Sequence, residues 1–195
     1  MHAIRMKLIL GSASRYRQAV LQGVGYQFDV VPPHIDEKAI RSDDHYELPL
    51  LLARAKADAL APQVGKDVLL ITADQVVVCN HALHEKPRNA MEAKAYLAKY
   101  GRGHPAETVS ALVVTNTSTG ERAEGADIAK VHYGTIPDAV VEEFVREGDP
   151  FSKAGGFEVQ SPILRPYLKA VEGAEDSVMG MPLGLLDRLI TKVSL

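Results

Sequence analysis

The chain has 195 residues, a formal net charge of −3 and a sequence pI near 6.2. Its hydrophobic share of 46%, charged share of 24% and mean hydropathy of −0.06 are those of a globular protein, which excludes extensive disorder. The slightly acidic balance argues against stable binding to a nucleic acid backbone. This length predicts a single folding unit over 1–195, built as two lobes that do not fold independently.

The composition also limits the compartment and the type of metal site. The single cysteine, Cys79, excludes an internal disulfide framework and a cysteine-rich zinc site. The first ten residues, MHAIRMKLIL, contain an apolar run shorter than that of a signal peptide, and no stretch approaches the length of a membrane span. We therefore expect a cytoplasmic protein with no membrane partner.

Strands and helices alternate along the first half of the chain. In chain order, the hydrophobic pattern predicts a strand over 7–10, a helix over 14–23, a strand over 27–31, a helix over 48–60 and a long strand over 68–79. The last of these is apolar on both faces, which is typical of a strand buried between two layers.

The second half continues the alternation and adds a hairpin. It predicts a helix over 91–100, two strands over 108–116 and 128–133, a helix over 136–146 and a final amphipathic helix over 185–193. The two strands flank a turn-rich segment, TSTGERAEG, and a Gly/Pro-rich region over 148–166 precedes the last helix. This order of elements predicts an α/β fold.

The turn after the first strand carries the donors of an anion site. Ser12, Ser14 and Arg17 lie where a helix begins, and a helix N-terminus offers unpaired N–H groups and the positive end of its dipole. An ordinary serine cap with surface arginines would have the same sequence. Three further cations follow apolar elements elsewhere in the chain: Lys56, Lys86 and Lys153. If the fold brings them together, they form a polyphosphate site.

A lone carboxylate, Asp74, interrupts the apolar strand over 68–79. An isolated buried carboxylate is costly, so Asp74 needs a partner. It fits two chemical roles, binding a metal ion or deprotonating an attacking water, and the alternative is a structural Asp that caps a turn. The segment HIDEK supplies Asp36 and Glu37 as further acids. Mg²⁺ (or Mn²⁺) that arrives with a polyphosphate prefers a few carboxylates together with water and phosphate oxygens.

Several other chemistries are excluded by their missing motifs. His81 and His84 are three residues apart in an extended segment and lack a cysteine pair or an HExxH pattern, so we do not interpret them as zinc ligands. The segment around Ser12 lacks the GxSxG elbow, and neither a Walker A loop nor a GxGxxG fingerprint occurs. A nucleotide-binding regulator without turnover and a phosphomonoesterase stay open as alternatives.

Seven short segments follow one another in a familiar order. They are LGSASRYR over 10–17, IDE over 35–37, Lys56-Ala57, ADQVV over 73–77, Lys86-Pro87, KAGGFEVQ over 153–160 and VMGMP over 178–182. Together they resemble the motifs of the Maf, or septum-formation-inhibitor-like, nucleoside triphosphate pyrophosphatases over nearly the full length of the chain.

The resemblance implies a fold and a reaction. The fold is a mixed, strongly twisted sheet flanked by helices, with two lobes around a nucleotide cleft as in inosine triphosphatases, and commonly a dimer. The reaction is Mg²⁺-dependent attack of water on the α-phosphorus, which releases a nucleoside monophosphate and diphosphate. By position, Asp74 matches the proton acceptor and Glu37 a second metal carboxylate. The phosphate-binding groups match Ser12, Arg17, Lys56, Lys86 and Lys153.

The positions that resemble the family's base-specificity residues are Tyr16, Gln75 and Gln160, and they form a hybrid. The family's pyrimidine subgroup resembles Arg, Thr and Gln there, and its 7-methyl-GTP subgroup resembles Trp, Gln and Glu. Gln160 follows the first pattern and Gln75 the second, while Tyr16 offers an aromatic face to a base. We therefore expect pyrimidine (dTTP/UTP-like) or modified nucleotides as substrates, with 7-methyl-GTP as the alternative.

Overall fold

Seven strands form one mixed sheet in the computed structural model, which describes residues 6–194. The strands are β1 (Lys7–Gly11), β2 (Asp29–Val30), β3 (Val68–Cys79), β4 (Ala82–His84), β5 (Ala106–Asn116), β6 (Arg122–Tyr133) and β7 (Leu168–Glu172). Their order is β2-β1-β3-β5-β6-β7, and β4 pairs with the end of β3. The pairs of β1 with β2 and β3 are parallel, and the other pairs are antiparallel.

Helices cover both faces of this sheet. They are α1 (Arg15–Gly23), α2 (Leu48–Leu60), α3 (Ala90–Gly101), α4 (Asp138–Glu147), α5 (Glu175–Val178) and α6 (Leu183–Val193). Helix α2 packs against the face formed by the even-numbered residues of β3, where Leu52 meets Val76 and Val78. None of the helices within 6–194 is long and apolar enough to cross a membrane. The predicted mixed α/β fold with flanking helices is confirmed.

The opposite face of the sheet holds two separate apolar clusters. One joins α1 and α6 to the first half of β3, through side chains such as Leu21, Ile71 and Leu186. The other joins α3 and α4 to the last residues of β3 and includes Tyr100 and Phe144. In β3, Ala73 belongs to the first cluster and Val77 to the second. Position 75 therefore falls between them, where a polar side chain is tolerated.

Three short elements were not predicted, and two of the predicted strands differ most from the structure in their bounds. Strand β6 begins at Arg122 rather than at 128, because its first half consists of small and polar residues, of which only Ala123 is buried, and lacks a strong apolar signal. The predicted strand over 27–31 shrinks to Asp29–Val30, an edge strand that pairs only with β1. Strands β4 and β7 and helix α5 have three to five residues each, which is too short for a periodic pattern.

Candidate active site

A gap in strand pairing lies in the middle of β3. On one side, β1 pairs with residues 68–72 of β3, and β4 pairs with residues 77–79. None of the strands described pairs with residues 73–76 on that side, so the backbone there is open to side chains. The gap lies beyond the carboxyl end of β1, at the entry to α1, which is where ligands bind in sheets with parallel strands.

Arg17 connects three parts of the chain at this gap. Its Nη1 donates to the carbonyl oxygen of Ala73 at 2.9 Å and to Ser12 Oγ at 3.1 Å, and its Nε donates to the carbonyl oxygen of Gly180 at 3.1 Å. Burial lowers the pKa of the guanidinium, and the nearby carboxylates of Asp74 and Glu37 raise it in part. Ser12 and Arg17, which the sequence predicts as members of one phosphate site, thus share a hydrogen bond.

Ser14 is the cap of α1. Its Oγ accepts from the backbone N–H of Arg17 at 3.4 Å, and its own N–H donates to Ser12 Oγ at 3.2 Å. These contacts are those of an ordinary serine cap, the alternative that the sequence left open. The role of Ser14 in phosphate binding stays a prediction. Arg15, in the first turn of α1, is exposed.

Lys56 is the partner of Asp74. On α2, Leu52, Lys56 and Leu60 lie four residues apart, so Lys56 belongs to the stripe that faces the sheet. Lys56 is 4% exposed and Asp74 8% exposed, and Lys56 Nζ lies 2.5 Å from Asp74 Oδ1. A buried lysine and a buried carboxylate each require an opposite charge, and here each supplies the other's.

The same ammonium holds Glu37. Lys56 Nζ lies 2.8 Å from Glu37 Oε1, so two carboxylates converge on one nitrogen. Glu37 begins a short 3-10 turn, Glu37–Ala39, and its side chain is half exposed. Partial burial raises the pKa of Glu37, but the hydrogen bond and charge of Lys56, followed by the charges of Lys86 and Arg17, lower it overall. Lys86 is exposed, yet its charge helps to lower the pKa of Glu37.

Lys153 and Tyr16 form a second cluster with a carboxylate that sequence reasoning missed, Glu158. Lys153 Nζ donates to the carbonyl oxygens of Gly148 and Asp149 at 3.1 and 2.8 Å. It also lies 3.5 Å from Glu158 Oε2 and 5.9 Å from the centre of the Tyr16 ring. Tyr16 donates its hydroxyl to Glu158 Oε1 at 3.1 Å, and burial together with the Glu158 charge raises the pKa of Tyr16 to about 12.

Gln75 occupies the position between the two apolar clusters, on the face opposite to Asp74. Its Nε2 donates toward Ser110 Oγ, the carbonyl oxygen of Ser177 and that of Val178, at 2.8, 3.1 and 2.9 Å. Because both carbonyls can only accept, the amide nitrogen must face them and the amide oxygen turns away. The buried hydroxyl of Ser110, which sequence reasoning also missed, donates to the same Ser177 carbonyl at 2.8 Å.

Like Lys86, Gln160 is a predicted site residue whose side chain makes none of these contacts. Its side chain is exposed, and it has no hydrogen bond to the side chains or backbone within 6–194. Its predicted role at the base stays a prediction. Ser12, Arg17, Lys56, Asp74 and Glu37, by contrast, lie in one continuous set of polar contacts.

The sequence profile of the family described as "Maf-like protein" matches residues 7–193. The chain belongs to the Maf family. The 7-methyl-GTP pyrophosphatase of Dictyostelium discoideum is 39% identical to it over 96% of this chain and 97% of that protein. The dTTP/UTP pyrophosphatase of Vibrio cholerae is 32% identical over 95% of this chain and 97% of that protein.

One solved structure also resembles this Maf chain. It is the nucleoside-triphosphatase / dITP/XTP pyrophosphatase of Mycobacterium abscessus, with a TM-score of 0.42 and 16% identity over 68% of this chain and 76% of that one.

The Maf chain supplies two carboxylates at the gap in β3. Within 6–194, no group of three or more His, Cys, Asp and Glu side chains is arranged to hold a metal ion. Asp74 and Glu37 nevertheless approach one nitrogen from two sides. This donor set suits a cation that takes most of its ligands from water and from a bound phosphate.

Proposed function

We propose that this Maf protein is a nucleoside triphosphate pyrophosphatase, which converts a triphosphate and water to a nucleoside monophosphate and diphosphate. The observation that carries the proposal is the Asp74 carboxylate, held by Lys56 at the gap in β3 beside the Ser12–Arg17 contact. Named activities of the Dictyostelium and Vibrio relatives support the same reaction.

In the proposed reaction, Asp74 accepts the proton of the attacking water. The water oxygen forms a bond to the α-phosphorus, and the bond between that phosphorus and the oxygen that bridges it to the β-phosphorus breaks. The second carboxylate oxygen of Asp74 is available for the proton, because Lys56 pairs with Oδ1. Lys56 also limits the repulsion between Asp74 and an incoming polyanion.

The remaining cations are proposed to hold the polyphosphate. Lys86 is exposed and its charge reaches Glu37, while the ammonium of Lys153 lies near Tyr16 at the other cluster. Negative charge develops on the diphosphate as it leaves, and fixed positive charges stabilise it. Arg17 is buried and tied to backbone carbonyls, so it is proposed to set the turn that presents Ser12.

Mg²⁺ or Mn²⁺ is the proposed cofactor, and Asp74 and Glu37 are its proposed protein ligands. Two carboxylates with phosphate oxygens and water form the octahedral oxygen set that Mg²⁺ prefers. When bound, the ion would neutralise phosphate charge and acidify the attacking water. Asp74 and Glu37, which both pair with Lys56, would hold the ion through their carboxylate oxygens.

Two base classes are candidates for the substrate. The proposed pyrimidine substrates (dTTP or UTP) rest on Gln160, and 7-methyl-GTP is favoured by the contact of Tyr16 with Glu158. An aromatic face next to a carboxylate suits a cationic methylated base. The amide oxygen of Gln75, which faces away from the Ser177 and Val178 carbonyls, is proposed to accept from an N–H of the base, which both guanine and uracil provide.

A product-resolved screen tests the reaction and the base together. Incubation with UTP, dTTP, CTP or 7-methyl-GTP and Mg²⁺ is expected to release monophosphate and diphosphate in equal amounts, and excess EDTA is expected to stop it. Chromatography of the nucleotides with separate assays for diphosphate and orthophosphate measures this. Orthophosphate as the first product would identify a phosphatase, and binding with no product a nucleotide-binding regulator.

A further inference from the structure

A buried polar pair lies beneath the loops that carry Lys86 and Lys153. Tyr100, on α3, is fully buried, and its hydroxyl donates to the carbonyl oxygen of Gly155 at 3.0 Å. His84, at the end of β4, is 2% exposed, and its Nδ1 lies 2.7 Å from the same hydroxyl. The His84 ring stacks on Tyr96 with centroids 3.9 Å apart. Neither Tyr100 nor His84 has a role in the proposed reaction.

The direction of these hydrogen bonds follows from their chemistry. The Gly155 carbonyl can only accept, so the single hydroxyl proton of Tyr100 goes to it. Tyr100 must then accept from His84, which places the imidazole proton on Nδ1. The other ring nitrogen, Nε2, is buried without a partner among the described residues, and burial, helped by the charge of Lys99, lowers the pKa of His84 to about 4. His84 is therefore a neutral donor at physiological pH.

Gly155 is held through both of its backbone polar groups. Its N–H donates to the carbonyl oxygen of Glu85 at 3.2 Å, and its own carbonyl receives the Tyr100 hydroxyl. Its φ is +71°, and a Cβ there would lie 2.8 Å from a methyl group of Val77. The backbone of Gly155 therefore lies so close to the end of β3 that a side chain larger than hydrogen would clash with Val77. Gly156 repeats this closeness against Pro87, where an added Cβ would lie 2.6 Å away.

These contacts join two segments that are far apart in sequence. Glu85 immediately precedes Lys86, and Gly155 follows Lys153 by two residues. His84 and Glu85 are consecutive and hold Gly155 from its two sides, His84 through Tyr100 and Glu85 directly. A displacement of either segment would break a buried hydrogen bond, which costs more than breaking an exposed one.

We propose that His84 and Tyr100 are positioning residues that lock the Lys86 and Lys153 segments together and thereby set the spacing of the two lysine ammonium groups. The proposal rests on the proposed function for the meaning of that spacing, since the two cations are proposed to bind one polyphosphate. A chain with apolar side chains at positions 84 and 100 would still pack its core, but it would lack the hydrogen bonds that join the Lys86 and Lys153 segments. The buried hydroxyl of Tyr100 thus has a role in placing the two segments, in addition to any contribution to stability.

Tyr100→Phe tests the lock, with Tyr96→Phe as the matched control. Both changes remove one hydroxyl from α3, but the Tyr96 hydroxyl contacts Glu92 and not Gly155. We expect Tyr100→Phe to raise KM for the nucleotide about tenfold with kcat within about twofold, and to speed amide exchange at Gly155 about tenfold, the loss expected for one buried hydrogen bond. Tyr96→Phe is expected to change neither quantity.

The two readouts separate this proposal from the proposed function. Hydrogen exchange of the peptides that cover 84–87 and 153–157 needs no substrate, so it decides the lock even if the wild type releases no diphosphate. Exchange at Gly155 that is equal in Tyr100→Phe and the wild type would overturn the proposal. So would a normal KM in an active Tyr100→Phe enzyme, or a loss of stability that leaves KM unchanged.

A second pair of variants tests His84. His84→Asn keeps a donor near the place of Nδ1, whereas His84→Leu has none, and both lose the ring that stacks on Tyr96. We expect His84→Leu to reproduce the KM and exchange changes of Tyr100→Phe and His84→Asn to restore most of them. Equal values for the two variants would show that packing, not hydrogen bonding, is what His84 contributes, and would overturn its part in the lock.

Discussion

Asp74→Asn is expected to lower kcat by about a thousandfold, the middle of the range that a positioned general base contributes. The amide has the shape of the carboxylate, and its oxygen can still accept from Lys56 Nζ. It cannot take up a proton from water. Nucleotide affinity is therefore expected to stay within a few-fold of the wild type. Steady-state release of diphosphate and calorimetric nucleotide titration measure the two quantities.

Asp36→Asn is the control for this loss. Asp36 precedes Glu37, but its Oδ1 accepts from the backbone N–H of Lys38 at 3.1 Å, and its side chain is exposed. The same chemical change there is expected to leave kcat unaltered. An Asp74→Asn enzyme that retains a tenth or more of wild-type kcat would remove Asp74 from the mechanism.

Lys56→Met is expected to destabilise the protein by about 3 kcal/mol at pH 7 and to reduce kcat/KM at least about a hundredfold. Methionine retains an unbranched apolar side chain, so packing against the sheet is largely kept. Asp74 and Glu37 then face each other without the ammonium that now separates them. Lys94→Met is the control, because Lys94 pairs with Glu142 at the surface and is remote from Asp74 in the fold.

The stability of the wild type and that of Lys56→Met are expected to change in opposite directions as the pH falls. In the wild type the pKa of Glu37 is lowered, so its contribution to stability is present above its unfolded pKa and is lost as the pH falls through that range. Lys56→Met removes the main cause that lowers the pKa of Glu37, so protonation of Glu37 is expected to reduce the destabilisation of the variant as the pH falls from 8 to 5. Urea unfolding at several pH values measures this, and a constant difference in stability would contradict it.

For Asp74, the sequence predicts that a partner is needed but not which residue it is. A carboxylate inside an apolar strand indicates that a partner exists, and the buried pair confirms that one does. Which lysine it is depends on the docking of α2, because only the buried stripe of that helix brings Lys56 to the even face of β3. The family motif includes Lys56 but describes it as a phosphate ligand, and its contact with two carboxylates is a property of the fold.

Several contacts in and around the site have no local signal in the sequence. The hydroxyl of Tyr100 meets Gly155 across 55 positions, and Gln75 meets Ser177 across 102. Glu158 lies inside the KAGGFEVQ segment, and its contact with Tyr16, 142 positions away, has no counterpart in the motif. Long-range hydrogen bonds depend on how whole elements pack. Hydrophobic periodicity predicts which face of an element is buried, but not which residue of another element that face meets.

Three of the expectations from the sequence that stay predictions concern something outside a single chain. They are the divalent cation, the location in the cytoplasm and the homodimer. Light scattering at several protein concentrations measures the last of these, and the EDTA arm of the substrate screen addresses the first.

Strand β3 places an acid and an amide on neighbouring residues that project in opposite directions, with Asp74 toward α2 and Gln75 toward Ser110. A sheet alternates its side chains with a period of two, so a single inserted residue ahead of Asp74 would invert the strand. The charge would then enter the layer built for an uncharged group, and the ammonium of α2 would lose its counterion. The proposed contact of Gln75 with the base and the proposed proton transfer to Asp74 would therefore depend on the same alignment of β3 with its neighbours.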